Sequence, residues 1–171
     1  MRRVQVNLYD ETWPLRYEAE RKKLERIFQS EVIDIFHIGS TSVSGLKAKP
    51  VIDIMVIVKD IEWVDHCNQQ MRTINYEPRG EHGMTGRRFF QKGGNQRTHH
   101  VHVFEQGDAN VTRHLAFRDY LRSHSEVRKE YGNLKHRLAK QFPNDLDSYI
   151  KGKSDFVSEI EKKALEWCES R

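Results

Sequence analysis

The sequence predicts an α/β fold of the α+β kind, a mixed sheet flanked by helices with a helical C-terminal third, and three observations carry that prediction. β-branched runs at residues 32–38 and 51–58 read as strands, the second apolar on both faces and so interior to its sheet. Three further strand patterns, at 74–77, 87–91 and 99–104, are set apart by Gly80, Gly83, Gly86 and Gly93-Gly94. From Val111 onward the apolar residues recur at helical spacing and no strand pattern returns. No repeat, low-complexity tract or linker interrupts the 171 residues, so residues 1–171 are expected to form one domain.

In chain order, Val4-Gln5-Val6 is expected as a short leading strand. Trp13-Pro14 opens a helix, since proline is tolerated in a first turn, and Tyr17, Leu24, Ile27 and Phe28 give it a buried stripe ending near Ser30. Asp60 can cap a second helix with Ile61, Val64 and Met71 on its inner side. In the last third, Val111, His114, Leu115, Arg118 and Leu121 share one helix face. Ser123 to Glu126 has capping-box spacing for the next helix, which carries Val127, Tyr131, Leu134 and Leu138. Phe142-Pro143-Asn144 stops it, residues 151–154 read as a turn, and Ser154 caps a final helix with Phe156, Ile160, Lys163 and Trp167.

Composition narrows the functional classes. Charged residues make up 32% of the chain and mean hydropathy is -0.80, with no apolar run near the ~20 residues of a membrane span and no signal-peptide pattern, so a cytoplasmic, membrane-free protein is expected. Two cysteines, Cys67 and Cys168, form neither a disulfide framework nor a zinc-finger spacing. The net charge of +4 is spread among acids, so a nucleic-acid ligand would require the basic groups to merge into one stripe beside a pocket.

Two segments carry candidate chemistry. In 37–50, Gly39 and Gly45 permit backbone angles that a Cβ forbids, so N–H groups and the hydroxyls of Ser40, Thr41, Ser42 and Ser44 can converge on phosphate oxygens, with Lys47 and Lys49 adding charge. Asp53 then interrupts an apolar strand and must be paired, hydrogen-bonded or metal-bound. The bland alternative is a polar loop before a core strand. In the second segment, His100 and His102 share one strand face, a spacing that suits imidazole ligation alongside Asp53 and equally suits a polar face meeting other side chains. Arg88 and Arg97 are candidates to grip phosphate, and His37 and Arg118 are placed as supporting residues around the site, with an Arg118–Asp119 or Arg118–Asp53 ion pair as the structural alternative. Gly152-Lys153-Ser154 is no P-loop, because Asp147 stands where the first glycine is needed.

The chain as a whole resembles the GrpB-like family, whose fold is related to polymerase-β-type nucleotidyltransferases. The resemblance runs through Tyr9-Asp10, Trp13-Pro14, His37 to Thr41, Gly45-Leu46, Ala48-Lys49-Pro50, Ile52-Asp53-Ile54, Arg88-Phe89-Phe90, Arg97 to Val103, Arg113 to Arg122 and the helix from Glu130-Tyr131 to Leu138. Ser44 departs from the family's usual proline. The family also occurs fused to dephospho-coenzyme A kinases, which implies a nucleotide-related context. In nucleotidyltransferases the resemblance implies a Gly-Ser turn for the triphosphate, two acids one residue apart on the next strand, and a third from a neighbouring strand, together holding two Mg ions. Gly39-Ser40 and Asp53 match, whereas Met55 stands at the second acid and His100 and His102 where the third is sought. The expected ligand is a nucleotide or phosphorylated metabolite bound by Gly39, Ser40, Thr41, Lys49, Arg88 and Arg97. Asp53 is the candidate catalytic residue, and a divalent metal (Mn, Zn or Mg) is expected on Asp53, His100 and His102. The alternative is a non-catalytic binding module that lacks the second carboxylate.

Overall fold

The computed structural model describes residues 2–171. Five strands, β1 (Val32–Ile38), β2 (Ile52–Val58), β3 (Glu77–Pro78), β4 (Arg88–Lys92) and β5 (His99–Glu105), form one mixed sheet in the order β1-β2-β5-β4-β3. β2 and β5 run parallel and every other pair antiparallel. Five helices accompany it: α1 (Trp13–Phe28), α2 (Asn68–Thr73), α3 (Ala109–Ser123), α4 (Ser125–Gln141) and α5 (Leu146–Glu169). None is long and apolar enough to cross a membrane.

Strand alternation divides the core. Ile52, Ile54, Val56 and Val58 of β2 join Val101 and Val103 of β5 and Phe90 of β4 on the face covered by Trp13, Leu24 and Phe28 of α1 and Met71 of α2. Met55 and Ile57, with Ile38 and Phe104, turn to the other face and pack under Val111 and Leu115 of α3. β2 therefore buries both sides, which is why it reads as a nearly continuous apolar run. Asp53 lies on the Met55 face, paired in register with Ile38 on one side and His100 on the other.

Several expected elements take other forms. Residues 4–6 form no strand: Val4 donates its N–H to Pro143 O and packs with Leu138 and Tyr149, and the only ladder contact nearby is an Asn7–Ala48 bridge. The strand expected at 74–77 shrinks to Glu77–Pro78, because Ile74 closes α2 and Asn75 adopts φ +70°. The helix after Asp60 starts as a 3-10 segment, Glu62–Cys67, with Asp60 accepting from Glu62 N. α4 has no side-chain cap, so the Ser123 capping box does not form; the His124 ring donates to Tyr120 O and stacks on Tyr120. α5 begins at Leu146, capped by Asp145 on Ser148 N at 3.1 Å, and runs straight through the expected turn at 151–154. Gly152 acts there as a packing residue, since a Cβ would stand 2.5 Å from Leu138 Cδ2 and hold α5 away from α4.

Candidate functional site

The segment between β1 and β2 folds back as one 3-10 turn, Ser40–Ser42, entered through Gly39 at φ +71°. A Cβ on Gly39 would lie 2.7 Å from Asp53 Oδ2, so glycine is what lets the turn rest on the carboxylate. Ser42 N and Oγ both donate to Gly39 O, and buried Thr41 Oγ1 meets His37 Nε2 at 2.9 Å. Two of the three turn hydroxyls are thus spent on the turn itself, Ser44 is exposed on another side, and Ser40 is left lining the cleft. α3 clamps the turn from outside: Arg122 donates twice to Ser42 O at 2.8 and 3.0 Å, and Arg118 donates to His37 O at 3.3 Å while pairing with Asp119. His37 lies on the α1 face of the sheet, stacked on Tyr17, so it braces the turn through Thr41 and does not reach Asp53.

Asp53 is the hub of a charged chain. His102 Nε2 donates to its Oδ1 at 3.1 Å, and His100 Nδ1 lies 3.3 Å from the same oxygen. Burial pushes the carboxyl up, but the two imidazoles outweigh it and hold Asp53 well below the usual carboxylate range. Each imidazole in turn receives an arginine. Arg97 Nη1 stands 2.8 Å from His100 Nε2, and Arg87 Nη1 stands 3.4 Å from His102 Nδ1. Arginine can only donate, so the outer ring nitrogens accept and both imidazole N–H groups face Asp53.

That polarity bears on a metal. The three ligand atoms of Asp53, His100 and His102 lie within 4.8 Å of one another, close enough to share an ion. A metal-bound imidazole, however, turns a lone pair to the ion and its N–H to an outer acceptor. Here the outer partners are guanidinium donors, so the surroundings do not fit a cation without both arginines turning away. The second carboxylate is also missing: Met55 is fully buried among Ile38, Ile57 and Phe104. Glu105 accepts from Ile61 N and Glu81 from Gly86 N, both away from Asp53, and no other acid joins the Asp53 group among the described residues.

The cleft has two lobes meeting at Ser40, Asp53 and Lys153. One, of about 140 Å³, is lined by Lys49, His100, Lys135 and Tyr149; the other, of about 220 Å³, by His102, His114, Phe117, Tyr131 and the Arg113–Glu161 pair. Lys49 is half-buried, and burial together with nearby Lys153 brings its amine down to about 8. Arg97 joins the cleft through His100, but Arg88 does not: it shares the face of Phe90 and pairs with Asp65. Arg87 is the β4-side arginine that reaches the Asp53 group, through His102, and strand alternation with Phe89 was the available signal. Lys135, Tyr149 and Lys153 were not anticipated from the sequence.

The GrpB protein family model matches residues 3–163. UPF0157 protein YqkA of Bacillus subtilis is 46% identical over 170 residues, 99% of this chain, although the chain spans only 50% of that relative's length. The crystal structure of conserved protein GrpB from Enterococcus faecalis superposes with a TM-score of 0.92 at 42% identity, covering 95% of this chain and 98% of that one. A structure of the Cid1 poly(U) polymerase bound to MgATP matches 79% of this chain and 44% of its own, with a TM-score of 0.55 at 14% identity. This last likeness is one of fold alone, and with it the fold is nucleotidyltransferase-like.

Proposed function

The chain belongs to the GrpB family, and from that premise we propose that it binds a nucleotide or phosphorylated metabolite in the two-lobed cleft, with the phosphate held beside Ser40 and Lys49. The observation that carries this reading is the convergence of a glycine-entered turn, the Ser40 hydroxyl and several amines around one carboxylate hub. The Arg87–His102–Asp53–His100–Arg97 chain surrounds one half-buried carboxylate with two guanidinium cations, so its field favours an anionic ligand. With Met55 in place of the second acid, the reading favoured is a binding module that retains the fold's pocket. Calorimetry with nucleoside triphosphates and coenzyme A precursors tests it. Wild type is expected to bind a phosphorylated compound, and Ser40→Ala to bind it roughly ten-fold or more weakly, the loss of one hydrogen bond to a charged group. Absence of binding by every phosphorylated compound would sink the reading.

A second reading, metal-dependent transfer or hydrolysis with Asp53 as the catalytic residue, is favoured by the convergence of Asp53, His100 and His102 alone. The arginine donors argue against it, which makes the metal test sharp. Protein purified without a histidine tag is expected to hold no stoichiometric Mn or Zn, and to gain affinity for them only when Arg87 and Arg97 are both replaced by alanine. One equivalent of metal in wild type, lost in His102→Ala, would install the metal reading instead.

A further inference from the structure

We propose that Lys135 of α4 and Tyr149 of α5, with Lys49 and Lys153 beside them, form a receptor for the terminal phosphate or pyrophosphate group of the ligand. The inference rests on the reading that the cleft takes a phosphorylated compound, and it specifies which end of that compound goes where. Lys135 is 2% exposed and its Nζ has no hydrogen-bond partner; Tyr149 is fully buried and its Oη has none either. These are the two buried side-chain polar atoms left unpaired among the described residues, and both residues line the same lobe. An unpaired buried donor is costly, and two of them in one cavity imply a partner that supplies acceptors.

The surroundings specify the charge of that partner. Lys49 and Lys153 place their amines 5.4 and 5.5 Å from the centre of the Tyr149 ring, and Lys135 Nζ sits 4.3 Å from the centre of the Tyr131 ring. No acid is among the residues that line this lobe except Asp53, which the histidines already occupy. Burial and the two neighbouring lysines hold the Lys135 amine well below its ordinary range, as expected of an amine buried beside other amines with no anion to pair it. A multiply charged anion offers acceptors to Lys135 and Tyr149 and pairs with all three amines, favouring their charged forms, which a single carboxylate cannot. The lobe, about 140 Å³, is smaller than the roughly 300–1,000 Å³ of pockets that enclose drug-sized ligands, so it fits a headgroup only. The organic part then extends past Ser40 and Asp53 into the lobe walled by Phe117, Tyr131 and Val157.

A residue kept for packing loses stability when shortened or neutralised, whereas a residue kept for an absent anion gains it. Inorganic pyrophosphate is the probe, titrated into wild type, Lys135→Met, Tyr149→Phe and Ser40→Ala, with melting temperatures measured on each ligand-free protein. Lys135→Met is expected to melt several degrees higher than wild type and to bind pyrophosphate at least ten-fold more weakly. Tyr149→Phe, which removes only an unpaired hydroxyl, is expected to melt no lower than wild type and to lose several-fold in affinity, and it decides the matter should Lys135→Met fail to fold. A lower melting temperature for Lys135→Met, or wild-type affinity in both variants, would overturn the receptor. If Ser40→Ala alone loses pyrophosphate, the receptor fails while the functional reading stands; if wild type binds neither pyrophosphate nor any nucleotide, both fail.

Discussion

Glu20→Ala is expected to lower the unfolding free energy by about 3–5 kcal/mol, the range for removing one member of a buried ion pair. Glu20 lies on α1 yet is only 5% exposed, and it gathers partners from the β4 end of the sheet face that α1 covers. Lys92 Nζ from β4 and Tyr76 Oη at 2.8 Å both donate to its Oε1, while Lys23 reaches Oε2 at 3.0 Å. Lys92 also lies 4.5 Å from the centre of the Tyr76 ring, so deleting the carboxylate strands a mostly buried ammonium and a buried phenol together. Lys23 is 45% exposed and contributes little. The network ties the first helix to the β4 edge, and its loss is global.

The same network sets an acid limit on stability. Burial pushes the Glu20 carboxyl up, but the hydrogen bonds from Lys92, Tyr76 and Lys23 outweigh it and hold it at about 2, against about 4.3 for an unperturbed glutamate. A depressed carboxylate contributes stability above its unfolded pKa and loses that contribution as pH falls toward its folded one. Burial lowers His37 and His99 to about 4 and His114 to about 3, so these rings oppose folding progressively as pH falls below about 6.5. Denaturant unfolding of wild type and Glu20→Gln from pH 7 to 3 separates the two. Both proteins are expected to weaken in step between about pH 6.5 and 5, and the gap between them to narrow only below about pH 4.5. A gap that stays constant down to pH 3 would show that Glu20 is not held low.

What the sequence disclosed follows from which physical rules are local. Pleating alone put His100 and His102 on one face, and the structure brings both to Asp53. The same rule could have chosen Arg87 over Arg88, but only with knowledge of which β4 face meets the core, and Phe89 and Phe90 are equally apolar. Lys135 sits four residues after Tyr131 and three before Leu138, on the apolar stripe of α4, where a lysine is ordinarily read as lifting its amine into solvent. Only the packing of the surrounding elements buries it, and packing between distant segments leaves no local signature. Gly152 misled for the same reason: a breaker by propensity, it became a contact residue once Leu138 stood opposite.

Gly39→Ala is expected to disable the cleft, and two separable terms make it severe. Gly39 holds φ +71° and ψ -175°, a region open essentially to glycine, so any side chain there costs on the order of 1–3 kcal/mol. Its Cβ would also stand 2.7 Å from Asp53 Oδ2. The clash resolves only if the turn lifts, withdrawing Ser40, or if the carboxylate swings off His100 and His102; either takes apart the arrangement of Ser40 and Asp53 that shapes the cleft. Calorimetry is expected to show at least ten-fold weaker binding of whatever phosphorylated ligand wild type accepts. A double-mutant cycle with Asp53→Ala divides the stability loss, because truncating Asp53 removes the carboxylate contacts and leaves the backbone strain together with a 3.1 Å approach to the Cβ of residue 53. Gly39→Ala should therefore cost less in the Asp53→Ala background than in wild type, with a coupling energy above the roughly 0.5 kcal/mol found for independent sites. Additivity within that margin would mean that the contact between the turn and the carboxylate group plays no part in the requirement for glycine.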